Sequence, residues 1–80
     1  MNNTDESVAQ KLNEWFPMWQ WSARMSGGYC CVFAEQERDG VLIGTDIRVR
    51  ARSSERVARA RSWDRALQQA KAWSWKQAAR

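Results

Sequence analysis

Apolar positions near the start of the chain recur every three to four residues and predict a first helix. They share one helical face: Val8, Leu12, Trp15 and Phe16. Asn3 or Thr4 can cap this helix at its start. Pro17 ends it, because proline donates no backbone bond and disfavours helical geometry in the residue before it.

From Met18 the pattern changes to strict alternation, which predicts a half-buried first strand. The apolar positions are Trp19, Trp21, Ala23 and Met25, and the polar positions between them are Gln20, Ser22 and Arg24. Ser26, Gly27 and Gly28 then predict a hairpin turn. We interpret Trp19 and Trp21 as core residues, with a stacking platform for unpaired bases as the alternative.

The segment "YCCVFAEQE" predicts a second strand. It is apolar on both faces at its start, so we expect a central strand or one covered on both sides. Arg38, Asp39 and Gly40 predict the next reversal, because Asp-Gly is typical of short hairpins. A third strand begins at Val41, with Gly44 as an expected bulge.

Apolar and basic residues alternate along the rest of the third strand. Ile47, Val49 and Ala51 share one face, whereas Arg48, Arg50 and Arg52 share the other. The three arginines therefore oppose a core face and are expected to project together.

Residues 53–61, "SSERVARAR", fit two structures. We favour a turn followed by a short fourth strand; the alternative is a long helix capped by Ser53. From Ser62, which we expect to be a cap, a helix is predicted with Asp64 in its first turn. Its apolar face comprises Trp63, Ala66, Leu67, Ala70 and Trp73.

The predicted fold class is therefore α+β. It consists of an N-terminal helix, a three-stranded antiparallel sheet that a short fourth strand would extend, and a C-terminal helix packed on the sheet. We expect one domain over residues 1–80, with residues 1–4 flexible. Six tryptophans could supply much of the core of so short a chain: Trp15, Trp19, Trp21, Trp63, Trp73 and Trp75.

Charge is segregated along the chain. Residues 1–46 carry three basic and seven acidic side chains, whereas residues 47–80 carry ten basic and two acidic ones. Ten of the thirteen basic residues are arginines, which bind phosphate and carboxylate groups in a bidentate manner. This imbalance predicts a phosphate-rich or acidic partner.

Cys30 and Cys31 are adjacent and point to opposite strand faces, so an intrachain disulfide is geometrically poor. We interpret them as buried small hydrophobic residues, which fits a reducing, cytoplasmic setting. No apolar run approaches the length of about 20 residues that a bilayer requires, and the polar start does not resemble a signal peptide. We therefore expect a soluble protein with no membrane partner.

Catalytic chemistry and resident ligands are not expected. The chain has no histidine, and no serine lies in a G-x-S-x-G setting. The carboxylate pairs Asp39 with Asp46 and Glu35 with Glu37 are more simply explained as solvated side chains. Two adjacent thiols without histidine do not form a tetrahedral metal site. We expect no enzyme activity, no cofactor and no metal.

The arginines near the end of the third strand are the candidate partner-binding residues. They are Arg48, Arg50, Arg52, Arg56, Arg59 and Arg61. Alternate residues of a strand lie roughly 6.5–7 Å apart, a spacing that suits a linear track of negative charge. The alternative is a solvated surface, rich in arginine because of genome composition.

The order helix, three strands, helix resembles the double-stranded RNA-binding domain. That family has a lysine-rich cluster where its last helix begins and a proline-histidine loop between its first strands. Here the last helix opens with "SWDRALQQ" and the loop is "SGG", so the resemblance is in order alone.

The whole chain also resembles small phage-encoded anti-CRISPR proteins in its size, its biased charge and its lack of catalytic motifs. No residue motif defines that group, so the resemblance assigns no residue. It implies a non-enzymatic inhibitor in the host cytoplasm that binds Cas subunits of a Cascade-type ribonucleoprotein complex. Such an inhibitor would block target DNA binding or nuclease recruitment.

Two rival functions remain open. One is a module that binds double-stranded nucleic acid directly, with an affinity that falls as salt rises. The other is a structural protein that forms a homodimer through Trp73, Trp75 and the first-strand tryptophans. The protein itself is expected to be a monomer or a homodimer.

Overall fold

The computed structural model describes residues 3–51 and 56–78 and has the predicted α+β architecture. Its elements are α1 (Asp5–Trp15), β1 (Gln20–Ser26), β2 (Tyr29–Arg38), β3 (Val41–Arg50) and α2 (Arg56–Ala78). The three strands form one antiparallel sheet in the order β1-β2-β3. Helix α1 packs on β1, and α2 packs on β2, β3 and α1.

Both hairpins turn through two residues, which fixes the register of the sheet. Gly27 and Gly28 have φ values of 55° and 80°, and Asp39 and Gly40 have values of 54° and 79°. Positive φ at both central positions is the backbone of a type I′ turn, whose twist matches that of paired strands. The central position predicted for β2 is confirmed.

The helices and one face of the sheet enclose a single hydrophobic core. It comprises Val8, Leu12, Trp19, Trp21, Cys30, Val32, Ala34, Ile47, Val49, Trp63, Ala66, Leu67 and Ala70. The predicted apolar face of the last helix is therefore confirmed, with Trp73 packed half-buried against the same cluster. Among the described residues, no helix has the length and apolar character needed to cross a bilayer.

The start of α1 is tied into the fold by side chains. The Thr4 hydroxyl accepts a hydrogen bond from the Ser7 amide, and the Ser7 hydroxyl accepts one from the Thr4 amide. Asn3 donates a hydrogen bond to Asp64 of α2. Flexibility is predicted for residues 1–4; Asn3 and Thr4 make these contacts, and residues 1 and 2 lie outside the described residues.

The favoured fourth strand is wrong over residues 56–61, which form the first turns of α2. The apolar spacing of the helix continues backwards from Trp63 to Ala60, which is buried. Ser62 is therefore no cap; it lies inside α2, and its hydroxyl donates to the carbonyl of Ala58 at 3.2 Å. Ser53, the alternative cap, lies outside the described residues.

A further expectation, the bulge at Gly44, is wrong. Gly44 pairs with Glu35 in an unbroken register, so it is not a bulge. A Cβ built at this position would overlap the carbonyl oxygen of Ala34, which explains the glycine by close backbone approach. Strand β2 is central, as expected, and helices cover one of its faces.

Two of the six tryptophans do not belong to the core. Trp15 is 46% exposed and Trp75 is 67% exposed. Trp15 lies at the end of α1, where the Lys71 ammonium is 5.2 Å from its ring centroid. It thus packs beneath a side chain of the neighbouring helix instead of filling the interior.

Candidate functional site on the open sheet face

One face of the sheet has neither helix against it, and we refer to it as the open face. Side chains alternate along a strand, so its residues are those between the core positions of β1, β2 and β3. They are Gln20, Ser22, Arg24, Ser26, Tyr29, Cys31, Phe33, Glu35, Glu37, Leu42, Gly44, Asp46, Arg48 and Arg50. Neither helix therefore covers this surface.

The register collects three arginines at one end of the open face. Arg24 and Arg48 are the two cross-strand partners of Cys31, so they flank it from opposite sides. The next row places Arg50 beside Tyr29. We call this group, Arg24, Arg48 and Arg50 with Tyr29 and Cys31 between them, the basic end. Adjacent strands are about 4.8 Å apart, so the backbones of Arg24 and Arg48 are separated by roughly 10 Å.

Arg24 also covers an aromatic ring. Its guanidinium carbon is 5.2 Å from the centroid of Phe33, which is half-buried. This cation–π contact keeps the guanidinium over the ring, where its N–H groups can still meet a carboxylate or phosphate.

Arg48 is paired with Asp46, two residues before it on the same face. Arg48 Nη2 lies 3.0 Å from an Asp46 carboxylate oxygen. The hydrogen bond and the negative charge of Asp46 raise the pKa of Arg48. Both side chains remain well exposed, at 63% for Arg48 and 41% for Asp46. Such a pair contributes little stability but orients the guanidinium along the strand.

The other two arginines of the basic end are not neutralised by described carboxylates. Within residues 3–51 and 56–78, the contact between Arg48 and Asp46 is the single ion pair. Arg24 and Arg50 are therefore free to pair with groups from outside the described part of the chain.

The candidate partner-binding arginines that the structure describes are divided between two layers of the molecule. Arg48 and Arg50 lie on the open face, as alternation predicts. Arg59 and Arg61 are exposed on α2, which packs against the opposite face of the sheet. The expectation that Arg59 and Arg61 continue the linear track of Arg48 and Arg50 is therefore wrong, because a helix replaces the expected strand.

The remaining two predicted binding residues are Arg52 and Arg56. Arg52 lies outside the described residues. Arg56 begins α2, but its side chain also lies outside them. The start of α2 stays close to the end of β3, since the Ser62 hydroxyl donates to the Arg50 carbonyl at 3.4 Å.

Sequence reasoning missed Arg24 and Phe33 as parts of the candidate site. The signal was present in the two-residue Gly27-Gly28 turn, which puts Ser26 opposite Tyr29. That register places Arg24 opposite Cys31 and next to the Phe33 row.

The two cysteines are free and buried, as interpreted from the sequence. Cys30 faces the core, whereas Cys31 lies beneath the arginines of the open face. Burial, and secondarily the neighbouring Cys31, raise the pKa of the Cys30 thiol, against the opposing charge of Arg59. Cys30 is therefore held as a neutral thiol.

Trp19, just before β1, and Trp21, within it, are core residues, as interpreted, and not a stacking platform. Trp19 and Trp21 are 6% and 5% exposed. Their ring centroids lie 4.7 Å and 6.0 Å from that of Trp73, in edge-to-face arrangements. Burial also removes them from the homodimer interface that the sequence left open.

Comparison of the chain with protein-family models, with curated proteins and with solved structures found no match.

Proposed function

We propose that this protein is a non-enzymatic inhibitor that docks its open face on an acidic surface of a host defence complex. The proposed target is a Cascade-type CRISPR ribonucleoprotein, in which Cas subunits would be the direct partner. Binding would occlude the path of target DNA or the site that recruits the nuclease. The proposed setting is the cytoplasm of a host cell infected by a phage or carrying another mobile element.

The observation that carries this proposal is the basic end of an uncovered sheet face. Three arginines surround Tyr29 and Cys31, and two of them make no ion pair with a described carboxylate. Arginine and aromatic side chains are the groups that dominate binding energy at protein interfaces. A flat sheet presents them on a rigid surface, which reduces the entropy lost on docking.

The charge of the rest of the open face favours a protein target. Glu35 and Glu37 lie beyond Phe33, away from the basic end, whereas Asp46 lies beside Phe33 and pairs with Arg48. A surface with both signs selects a partner with complementary signs, whereas a phosphate backbone would be repelled by the carboxylates.

Purified Cascade-type complexes of several subtypes provide the test. We expect the protein to co-elute with at least one complex and to act at stoichiometric amounts. It should then abolish binding of labelled target duplex, or leave that binding intact while nuclease cleavage is lost. If the protein associates with none of the complexes in the panel, the proposal is contradicted.

Direct binding of double-stranded nucleic acid is the second candidate. It is favoured by the alternation of Arg48 and Arg50, which puts two guanidinium groups on one face at roughly the 6.5–7 Å spacing of alternate strand residues. Binding to naked duplex should weaken steeply with salt, with a slope of about 0.9 per phosphate contact on logarithmic axes. No gel shift at low salt would rule this candidate out.

A further inference from the structure

The two edges of the sheet are treated differently by the rest of the chain. At the β1 edge, the Asn13 side chain acts like a neighbouring strand residue. Its amide nitrogen donates to the Trp21 carbonyl at 3.2 Å, and its amide oxygen accepts from the Trp21 N–H at 3.1 Å. This double contact occupies the edge near the start of β1. If the β3 edge has no such cover, its free backbone groups are a template for pairing with another strand.

The β3 edge has its outward backbone groups at even-numbered positions. The Ala51 N–H donates inward to the Gly28 carbonyl at 2.8 Å, whereas the Arg50 carbonyl accepts from Ser62 on the outer side. Because groups alternate along an antiparallel strand, Leu42, Gly44, Asp46 and Arg48 also face outward. Within residues 3–51 and 56–78, no group hydrogen-bonds to the outward backbone of these four residues.

The sequence of this edge is complementary to itself when it is read antiparallel. If Ile47 lies opposite Ile47 of a second copy, Asp46 lies opposite Arg48 of that copy, and Arg48 lies opposite its Asp46. Both residues present outward backbone groups, so each such pair also exchanges backbone hydrogen bonds. Opposite charges at directly facing positions stabilise a strand pair, and like charges destabilise it.

The same register fills an empty place on the open face. It brings Arg50 of the second copy opposite Gly44, which has no side chain and lies in a shallow depression lined by Phe33, Glu35 and Leu42. The Arg50 guanidinium could lie across the Gly44 backbone towards the Glu35 carboxylate. The two-fold symmetry repeats this contact, as an interface between identical surfaces requires.

From these features we propose that β3 is a homodimerisation edge. Two copies pair antiparallel about Ile47 through the outward backbone groups of Asp46 and Arg48, which joins the two sheets along their β3 edges. Asp46 and Arg48 from both copies then make a four-residue charge network at the centre of the joined open faces. Asp46 and Arg48 already pair within one copy, but both side chains are well exposed. Each therefore has further hydrogen-bonding groups that can join this network.

A charge-exchange experiment on the intact chain tests the register. Asp46→Arg places Arg opposite Arg48, and Arg48→Asp places Asp opposite Asp46, so each single variant should weaken dimerisation about tenfold or more. The double variant D46R/R48D restores opposite charges in both pairs and should dimerise like the wild type. Sedimentation velocity over a wide concentration range measures each dissociation constant.

Matched controls separate the register from net charge. Glu37→Arg makes the same charge change as D46R, on β2 and away from the edge, and Arg61→Asp makes the same change as R48D, on α2. Both controls should leave the dissociation constant within about threefold of the wild-type value. Far-ultraviolet circular dichroism confirms that every variant folds.

Three results would overturn the inference. A wild-type protein that stays monomeric up to near-millimolar concentration has no such dimer. A dimer that tolerates both single variants uses another surface, and a double variant that fails to recover while remaining folded contradicts the register. The inference does not depend on the proposed function, since dimerisation is measured without any target complex.

Discussion

Gly44 occupies a position where the backbone itself leaves no room for a side chain. Its built Cβ overlaps the carbonyl oxygen of Ala34 in the neighbouring strand. A glycine in a strand is ordinarily unfavourable, so replacement by alanine would be expected to stabilise by about 0.5–1 kcal/mol through reduced chain entropy. The overlap predicts instead that alanine at this position destabilises the protein.

We therefore expect Gly44→Ala to lower the free energy of unfolding by roughly 1–3 kcal/mol, because β2 and β3 must separate to admit the methyl group. Urea denaturation measures the change. Ser22→Ala, on the exposed face of β1, serves as a control that alters a strand without crowding it. A G44A variant as stable as the wild type, or more stable, would refute the close approach.

Cys30 carries a pH dependence of stability whose sign follows from its burial. Burial raises the pKa of this thiol above its ordinary value of 9.0. The unfolded chain therefore loses the thiol proton at a lower pH than the folded chain does. The stability that Cys30 contributes is complete below the unfolded pKa and is lost as pH rises through the folded pKa.

Comparison of the wild type with Cys30→Ala isolates this contribution. The wild type should be more stable at neutral pH, and its advantage should shrink at alkaline pH above the ordinary thiol pKa. Chemical denaturation of both proteins across that range provides the measurement. An advantage that stays constant with pH would show that the thiol titrates alike in both states.

At the scale of elements, Asn13 joins α1 to the edge of β1. Its side-chain amide satisfies both backbone groups of Trp21, which the strand would otherwise leave without a protein partner on its outer side. Asn13→Ala should cost about 1–2 kcal/mol of unfolding free energy, measured by urea denaturation. Gln10→Ala, an exposed change in the same helix, should cost far less. Equal losses in the two variants would contradict the bridging role.

Helix α2 presents two tryptophans, two residues apart, to opposite environments. Trp73 contacts Trp19 and Trp21 edge-to-face, whereas Trp75 is 67% exposed. We expect Trp73→Ala to destabilise the protein by about 3 kcal/mol or more, and Trp75→Ala to change stability by at most about 0.5 kcal/mol. Thermal and urea unfolding of the pair measure this contrast, and similar losses would mean that α2 is rotated relative to the sheet.

The elements differ in how far the sequence predicts them. Alternation in β1 and β3, the apolar segment of β2 and the turn pairs Gly27-Gly28 and Asp39-Gly40 predicted the three strands. A two-residue turn also leaves little freedom in register. The start of α2 was mispredicted because arginine and alanine alternate there in a way that satisfies a strand as well as a helix. The burial of Ala60 on the inner face of α2 decides between the two.

The sequence likewise predicted only part of the candidate site. Arg48 and Arg50 follow from alternation within one strand, which is a local property. Arg24 and Phe33 join them only through pairing between strands, and Arg59 and Arg61 leave them through the geometry of α2. Placement that depends on contacts distant in sequence could not be obtained from the pattern alone.

At the scale of the whole molecule, the fold turns a charge imbalance along the chain into two separate basic surfaces. One is the basic end of the open face, and the other is the outer side of α2. The open face combines arginine with aromatic rings, whereas the exposed arginines of α2 lie on a helix surface among polar residues. The central claim is that the first surface binds the partner and the second does not.

Two triple variants of equal net charge test this claim most directly, in an assay of target-DNA binding or cleavage by a Cascade-type complex with which the wild type co-elutes. One replaces Arg24, Arg48 and Arg50 with Glu, and the other replaces Arg59, Arg61 and Arg65, which are exposed on α2. The account predicts that the open-face variant loses inhibition, while the helix variant retains it within about threefold of the wild type. Retained inhibition by the open-face variant, or equal loss in both, would contradict it.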